Sequence, residues 1–175
     1  WLTLLAGLAP AQYTPFGKNK VNYDRFRWRV LESRHFLLYH YEGEEDLGQQ
    51  ALEIAEEGYS DLRARFAHDA RRPIPLIIYS SHLDFEQTNV TPYFLPEGVA
   101  GLTEFAKGRV LIPFDGSLYA FETTIRHELV HVFQLSVSER VSREHYRATP
   151  LAPPLWFTEG QAVHWSEGRD TEADM

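Results

Sequence analysis

The sequence lacks cysteine, and this limits the chemistry that the chain can carry. With no thiol among its 175 residues, it has no disulfide bond, no thiolate nucleophile and no cysteine-ligated zinc. Any metal ion held by side chains must therefore use histidine and carboxylate ligands. The missing cysteines do not assign a cellular compartment, because proteins without disulfides occur in several of them.

An excess of positive charge is also missing. The formal net charge is -8 at pH 7, and no basic stripe interrupts the acidic balance. Nucleic acids and anionic membranes are bound largely through Lys and Arg, so neither is an expected partner. The chain also has no internal repeat and no low-complexity tract, and its length suits one domain with a hydrophobic core.

No apolar run is long enough to cross a membrane, although the first eleven residues are apolar and small. Ala9, Pro10 and Ala11 resemble the A-x-A site at which secretory signals are cleaved. We therefore expect residues 1–12 to be the remnant of a signal peptide and the protein to be secreted or periplasmic. The alternative is a short apolar segment that packs on the domain.

The hydrophobic pattern predicts an α+β fold with a small mixed sheet packed on helices. Residues 13–34 are expected to form an extended lead-in, with a short strand or edge segment at 26–30. We expect residues 35–175 to form one domain that continues beyond the given C-terminus. The predicted strands are 35–41, 74–79, 98–105 and 109–114, and the last two form a hairpin. The predicted helices are 46–67, 118 to about 135, and 156–165, whereas 80–96 and 136–154 are predicted to be irregular.

One motif in the second predicted helix indicates metal chemistry. His127, Glu128 and His131 form an H-E-x-x-H pattern within a segment whose apolar stripe independently predicts a helix. Residues four apart lie above one another on a helix face, so both imidazoles can reach one metal ion. Glu128 falls beside them, where it can act on a water molecule as general base.

A third ligand is needed, because catalytic zinc uses three protein ligands and keeps one position open. No histidine follows within residues 132–144, which excludes the short three-histidine spacing. Glu159 lies 28 residues after His131, at the start of the third predicted helix, and is the candidate third ligand. Gly160 is expected to allow close approach of that helix. The alternative for Glu159 is a carboxylate that merely stabilises the helix N-terminus.

These segments together resemble a known family. HELVH at 127–131 and WFTEG at 156–160, preceded by GLTEF and GRVLIPF, resemble the gluzincin zinc metallopeptidases, and among them the peptidase MA-like domains. The resemblance covers roughly residues 35–168 and implies a zincin-like fold built around an H-E-x-x-H active-site helix. It also implies a peptide or protein substrate, and a Tol-like β-propeller C-terminal to such a domain.

The resemblance implies a role for each candidate residue. His127, His131 and Glu159 would hold one zinc ion, and Glu128 would be the catalytic base. The family's edge strand, which holds substrate in extended form, matches the residues Gly98, Val99, Ala100 and Gly101. The family also uses a Tyr or His to stabilise the transition state, for which the candidates are His145, Tyr146 and His164.

Two other interpretations remain open. Val163 occupies the position, one turn after Glu159, at which relatives of that family often carry a carboxylate. This departure, with ends that look truncated, favours a catalytically weak or inactive zincin-like module that binds peptide or a partner within a larger secreted protein. The remaining interpretation is a structural domain in which the motif arose by chance and both histidines are ordinary helix residues. The substrate and the choice between endo- and exopeptidase action stay open.

Overall fold

The computed structural model describes residues 25–70, 73–91, 95, 98–144 and 153–167. Within them the chain has an α+β fold, with a five-stranded mixed sheet and four helices, which confirms the predicted class. The expected signal remnant at 1–12 and most of the expected lead-in lie outside the described residues. Among the described helices, none is both long enough and apolar enough to cross a bilayer.

The shortest strand of the sheet lies at one of its edges. Its strands are β1 (Trp28–Glu32), β2 (Phe36–Tyr41), β3 (Ile74–Tyr79), β4 (Leu102–Glu104) and β5 (Arg109–Pro113). The spatial order is β1-β2-β3-β5-β4, with β2, β3 and β5 parallel and both edge strands antiparallel to their neighbours. The predicted hairpin of β4 and β5 is confirmed, and Gly108 supplies the positive φ of 63° in its turn.

The helices are α1 (Glu45–Phe66), α2 (His82–Glu86), α3 (Leu118–Glu144) and α4 (Leu155–Ser166). Helix α3 starts after a turn in which the Asp115 carboxylate accepts the N–H of Ser117, and the Ser117 hydroxyl accepts the N–H of Ala120. A side-chain oxygen that accepts such a helix N–H is the usual N-terminal cap. The polar turn at 115–117 therefore sets the first residue of the motif helix.

The main core lies between one face of the sheet and the pair α1 and α3. Alternate residues of β3, Leu76 and Ile78, face this core, while Ile77 and Tyr79 face a smaller cluster around Phe85 on the other side. Gly58 of α1 brings the two helices close, because an added Cβ there would lie 3.1 Å from Leu129 Cδ1. Core packing therefore holds both α1 and α3 against this face of the sheet.

A polar cluster joins the start of β2 to α1. The Glu56 carboxylate accepts hydrogen bonds from the Ser33 hydroxyl (2.5 Å), the His35 backbone N–H (2.9 Å) and the His35 ring at Nδ1 (2.5 Å). The His35 ring also stacks on Tyr59, with ring centroids 3.8 Å apart. The carboxylate is partly buried and well satisfied, so it stabilises the packing of α1 on the sheet.

The largest differences from the predicted elements are at three places. Residues 82–86, predicted to be irregular, form α2, whose first turn is capped by the Ser81 hydroxyl. Helix α3 runs to Glu144 instead of ending near residue 135, because its polar C-terminal part still has no Gly or Pro to stop it. Strand β4 begins at Leu102, not at Gly98, because glycines contribute no side chain to strand packing.

Candidate metal centre

The two motif histidines meet on one face of α3. Their Nε2 atoms are 3.2 Å apart, and their rings are inclined at 78° with centroids 4.9 Å apart. His131 is 8% exposed and His127 is partly buried, since the neighbouring Leu129 and Val130 belong to the core. The predicted one-turn spacing therefore does bring both ring nitrogens to one point.

Glu159 completes a triangle from α4. Its Oε2 atom lies 3.4 Å from Nε2 of His127 and 3.5 Å from Nε2 of His131. Within the part of the chain that the structure describes, this is the one group of three or more His, Asp or Glu side chains arranged to hold a metal ion. The three residues proposed as ligands from the sequence are thus brought together.

The size of the triangle fits zinc. Zinc binds His nitrogen and carboxylate oxygen at about 2.0–2.2 Å, and a tetrahedron with such bonds has edges of about 3.3–3.6 Å. The three observed edges span 3.2–3.5 Å. Two imidazoles and one carboxylate are also a usual donor set for catalytic zinc, with one position left for water. The residues present therefore fit the ion.

The surroundings of His127 favour its neutral imidazole. Burial of the ring and the charge of the neighbouring His131 lower the pKa of His127 below its ordinary value, although Glu159 acts in the opposite direction. A neutral ring has a lone pair available for a metal ion, whereas a protonated one has none. His127 is therefore prepared to act as a ligand near neutral pH.

Glu128 lies beside the triangle and is held by the edge strand. It is 7% exposed, and its Oε2 atom accepts a hydrogen bond of 2.6 Å from the Thr103 hydroxyl of β4. The same hydroxyl lies 3.0 Å from the Glu128 backbone carbonyl oxygen. Burial raises the pKa of Glu128 above its ordinary value, and the Thr103 bond and the His131 charge offset only part of this. A carboxylate with a raised pKa accepts a proton more readily, as a general base must.

The triangle and Glu128 open into a cleft of about 400 Å³ between α3, β4 and the segment before β4. Of the four residues predicted to form a substrate strand, Val99, Ala100 and Gly101 line this cleft and Gly98 does not. All four precede the strand and are irregular. Gly101 packs so closely on α3 that an added Cβ would lie 2.7 Å from Thr124 Cγ2.

The remaining candidates lie elsewhere. His164 is exposed on α4 and does not line the cleft, because five residues along a helix turn it by about 140° from Glu159. His145 and Tyr146 lie outside the described residues. The expectation for Gly160 was wrong, because nothing lies within 4 Å of a Cβ added there.

Sequence reasoning missed a contact that orients His131, one of the candidate ligands. Oε1 of Gln134 lies 2.8 Å from Nδ1 of His131, and Nε2 of Gln134 donates to the Thr158 carbonyl oxygen at 3.0 Å and to Oε1 of Gln161 at 2.9 Å. The sequence spacing could have indicated this contact, since Gln134 follows His131 by three residues and therefore lies on the same helix face. Val163, the position at which relatives of the resembled family often carry a carboxylate, is 45% exposed.

Comparisons with known proteins add no family to this description. No protein-family model matches the chain, and neither the curated proteins nor the solved structures gave a significant match. The chemistry of the chain is therefore inferred from the geometry of its own residues.

Proposed function

We propose that the chain is a zinc-dependent metallopeptidase domain of gluzincin type with a zincin-like fold, which hydrolyses peptide bonds. The observation that carries the proposal is the triangle of His127, His131 and Glu159 beside the buried Glu128. Its edges have the lengths that tetrahedral zinc requires, and it opens into a cleft. The H-E-x-x-H and WFTEG resemblance supports the same function.

Each residue has a distinct role in the proposed reaction. A bound zinc ion would supply a Lewis acid and lower the pKa of a water molecule to about 7. Glu128 accepts the proton of the attacking water on its carboxylate and transfers it to the nitrogen of the leaving amine. Thr103 keeps that carboxylate at the wall of the cleft through its 2.6 Å hydrogen bond.

The edge of the sheet supports a peptide substrate. Among the described strands, β4 pairs with β5 alone, so its other side is an edge of the sheet. An extended peptide can add to such an edge by backbone hydrogen bonds, with alternate side chains entering the cleft. The cleft walls beside the motif residues are mostly small or apolar, including Val99, Leu102 and Phe105. This favours a substrate with apolar side chains near the cleaved bond.

One observation favours the second candidate, a catalytically weak module that binds peptide or a partner. Among the described residues that line the cleft, apart from the two ligand histidines, none is Tyr, His, Arg or Lys. The transition state would therefore lack the Tyr or His donor that the resemblance implies, from this part of the chain. Such a module would serve a larger secreted protein, with a C-terminal β-propeller as the proposed neighbour.

Metal content tests the site first. We expect about one zinc ion per chain after dialysis in the wild type, and a clear loss in Glu159→Ala. Glu167→Ala is the matched control, because it removes an exposed carboxylate immediately after α4 and should leave the zinc in place. A wild type that holds no zinc, even when zinc is supplied, would contradict the proposal and leave the chance motif as the explanation.

Activity separates the two metal-bearing candidates. Glu128→Gln keeps the size of the side chain and an oxygen that can accept from Thr103, so it should retain zinc while losing peptide hydrolysis. Wild-type turnover together with loss in this variant would support the peptidase. A zinc-loaded wild type that cleaves no peptide from a diverse library would favour the binding module, and equal cleavage by Glu128→Gln would reject the assigned base.

A further inference from the structure

We propose that Gln134 is a positioning residue of the metal site, which sets the tautomer of one histidine ligand and holds the helix of the carboxylate ligand in place. The inference rests on the proposed function, since it concerns the same zinc site. It is carried by the three hydrogen bonds of one side-chain amide, which reaches from α3 to α4.

The orientation of this amide follows from its partner on α4. The backbone oxygen of Thr158 can only accept a hydrogen bond, and it lies 3.0 Å from one end of the Gln134 amide. That end must therefore be the NH₂ group, which also faces Oε1 of Gln161 at 2.9 Å. The opposite end, which faces His131, is then the carbonyl oxygen.

The tautomer of His131 follows in turn. A carbonyl oxygen 2.8 Å from Nδ1 requires that this nitrogen carries the hydrogen. In the neutral ring, Nε2 is then without a hydrogen, and its lone pair points to the centre of the triangle formed with His127 and Glu159. Without Gln134 the ring could place its hydrogen on Nε2, where it would block metal binding.

The other end of the amide acts on the carboxylate ligand. Thr158 directly precedes Glu159 in α4, and Gln161 follows it by two residues. The two hydrogen bonds donated by Gln134 therefore fasten α4 to α3 on both sides of the third ligand. One side chain thus orients a histidine of α3 and restrains the position of Glu159, before any ion is bound.

The test compares Gln134→Met, Gln134→Glu and the control Gln49→Met. Methionine keeps the approximate volume and removes all three hydrogen bonds, whereas glutamate keeps an acceptor for His131 but loses the donor to α4. Gln49 lies exposed on α1, where it bonds to Glu53, so its replacement should change nothing at the site. Circular dichroism checks that each variant is folded.

Two readouts are needed. The first is zinc affinity, measured by competition with a chromophoric chelator, which should weaken about 10- to 100-fold in Gln134→Met. The second is the position of the ring hydrogen of His131 in the zinc-free protein at pH 8, measured by ¹⁵N NMR. We expect it on Nδ1 in the wild type and in Gln134→Glu, and distributed over both nitrogens in Gln134→Met. A residue that served only helix packing would leave this signal unchanged.

The outcomes distinguish this inference from the proposed function. If the wild type binds zinc and Gln134→Met has the same affinity and the same His131 signal, the role of Gln134 is rejected and the zinc site stands. If the wild type binds no zinc, the proposed function fails, and the NMR signal still shows whether Gln134 sets the tautomer of His131. If Gln134→Met does not fold, the NMR measurement on Gln134→Glu tests the inference. A ring hydrogen on Nε2 of His131 in that variant would overturn it.

Discussion

A single added methyl group at Gly101 would press on three side chains at the wall of the cleft. In Gly101→Ala the new Cβ would lie 2.7 Å from Thr124 Cγ2, and 3.1 Å from both Glu128 Cγ and Ile112 Cδ1. Carbon atoms pack at about 3.5–4.0 Å, so the first contact is too short by about 0.8–1.3 Å. Thr124 is β-branched and stiff within α3, so the segment before β4 must move instead.

The cost follows from overpacking. Forcing a methyl group into a packed contact costs about 1–3 kcal/mol, which outweighs the about 0.4–1 kcal/mol gained because alanine restricts the unfolded chain. For a domain of this size, each kcal/mol lowers the Tm by about 2–4 °C. The carboxylate of Glu128 should also be displaced, and a shift of about 1 Å at a catalytic group can lower kcat/KM about 100-fold. We therefore expect a lower Tm together with lower activity in the proposed peptide hydrolysis.

Gly98→Ala is the matched control, because nothing lies within 4 Å of a Cβ added there. Its Tm and activity should stay close to those of the wild type. Thermal unfolding by circular dichroism and initial rates on a fluorogenic peptide measure both effects. Equal Tm values for the two variants would refute the close approach of the segment before β4 to α3. A lower Tm with unchanged kcat/KM would refute the coupling to Glu128.

Three further variants test other parts of the structure. Thr103→Val removes the hydroxyl that donates to Glu128, and since a hydrogen bond to a charged group contributes about 1.5–3 kcal/mol, kcat/KM should fall about 10- to 100-fold at unchanged zinc content. Glu56→Gln should lower the free energy of unfolding at pH 7 by about 1–2 kcal/mol, measured by urea titration. Burial acts to raise the pKa of Glu56, but the hydrogen bonds that it accepts and the His35 charge bring it below the ordinary value of 4.5. The stabilising effect of the Glu56 carboxylate is therefore fully present above about pH 4.5. The difference in unfolding free energy between variant and wild type should shrink as the pH falls through the lowered pKa of Glu56. Gly160→Ala should raise stability by about 0.5–1 kcal/mol, because an exposed helix position with open space around it gains from alanine, and an unchanged or lower Tm would contradict the described surroundings.

The parts of the site that follow from local periodicity were predictable from the sequence. The spacing of His127 and His131 is a property of any α-helix, so a correct helix prediction was enough to bring their Nε2 atoms together. The strand at 74–79 was predictable for a similar reason, since a short apolar run bounded by turns fits a buried strand. Glu159 was proposed from the need of zinc for a third ligand, and the resemblance supported it, because no periodicity connects α4 to α3.

The parts that depend on packing between distant segments were not predictable. The glycine-rich segment 98–101 resembles the start of a strand in sequence. In the structure, the backbone of Gly101 instead packs closely against side chains of α3. Helix α3 extends well beyond the end of its apolar stripe, so the stripe alone predicts too short a helix. The contacts of the Gln134 amide could not be predicted, because two of its three partners lie on α4. The sequence does not show where α4 packs against α3.

The three candidate ligands are not held equally firmly. His131 sits on α3 between core residues and has a side chain only 10% exposed, whereas the Glu159 side chain is 47% exposed on the shorter α4. Helix α4 also leaves Leu155 and Trp156 more than 70% exposed, so core packing fixes it less than it fixes α3. The position of the carboxylate therefore depends on the polar contacts of Gln134, and a bound zinc ion would restrain it further. Binding of zinc should accordingly slow hydrogen exchange in α4 much more than in α3, since α3 is ordered by the core with or without a metal ion.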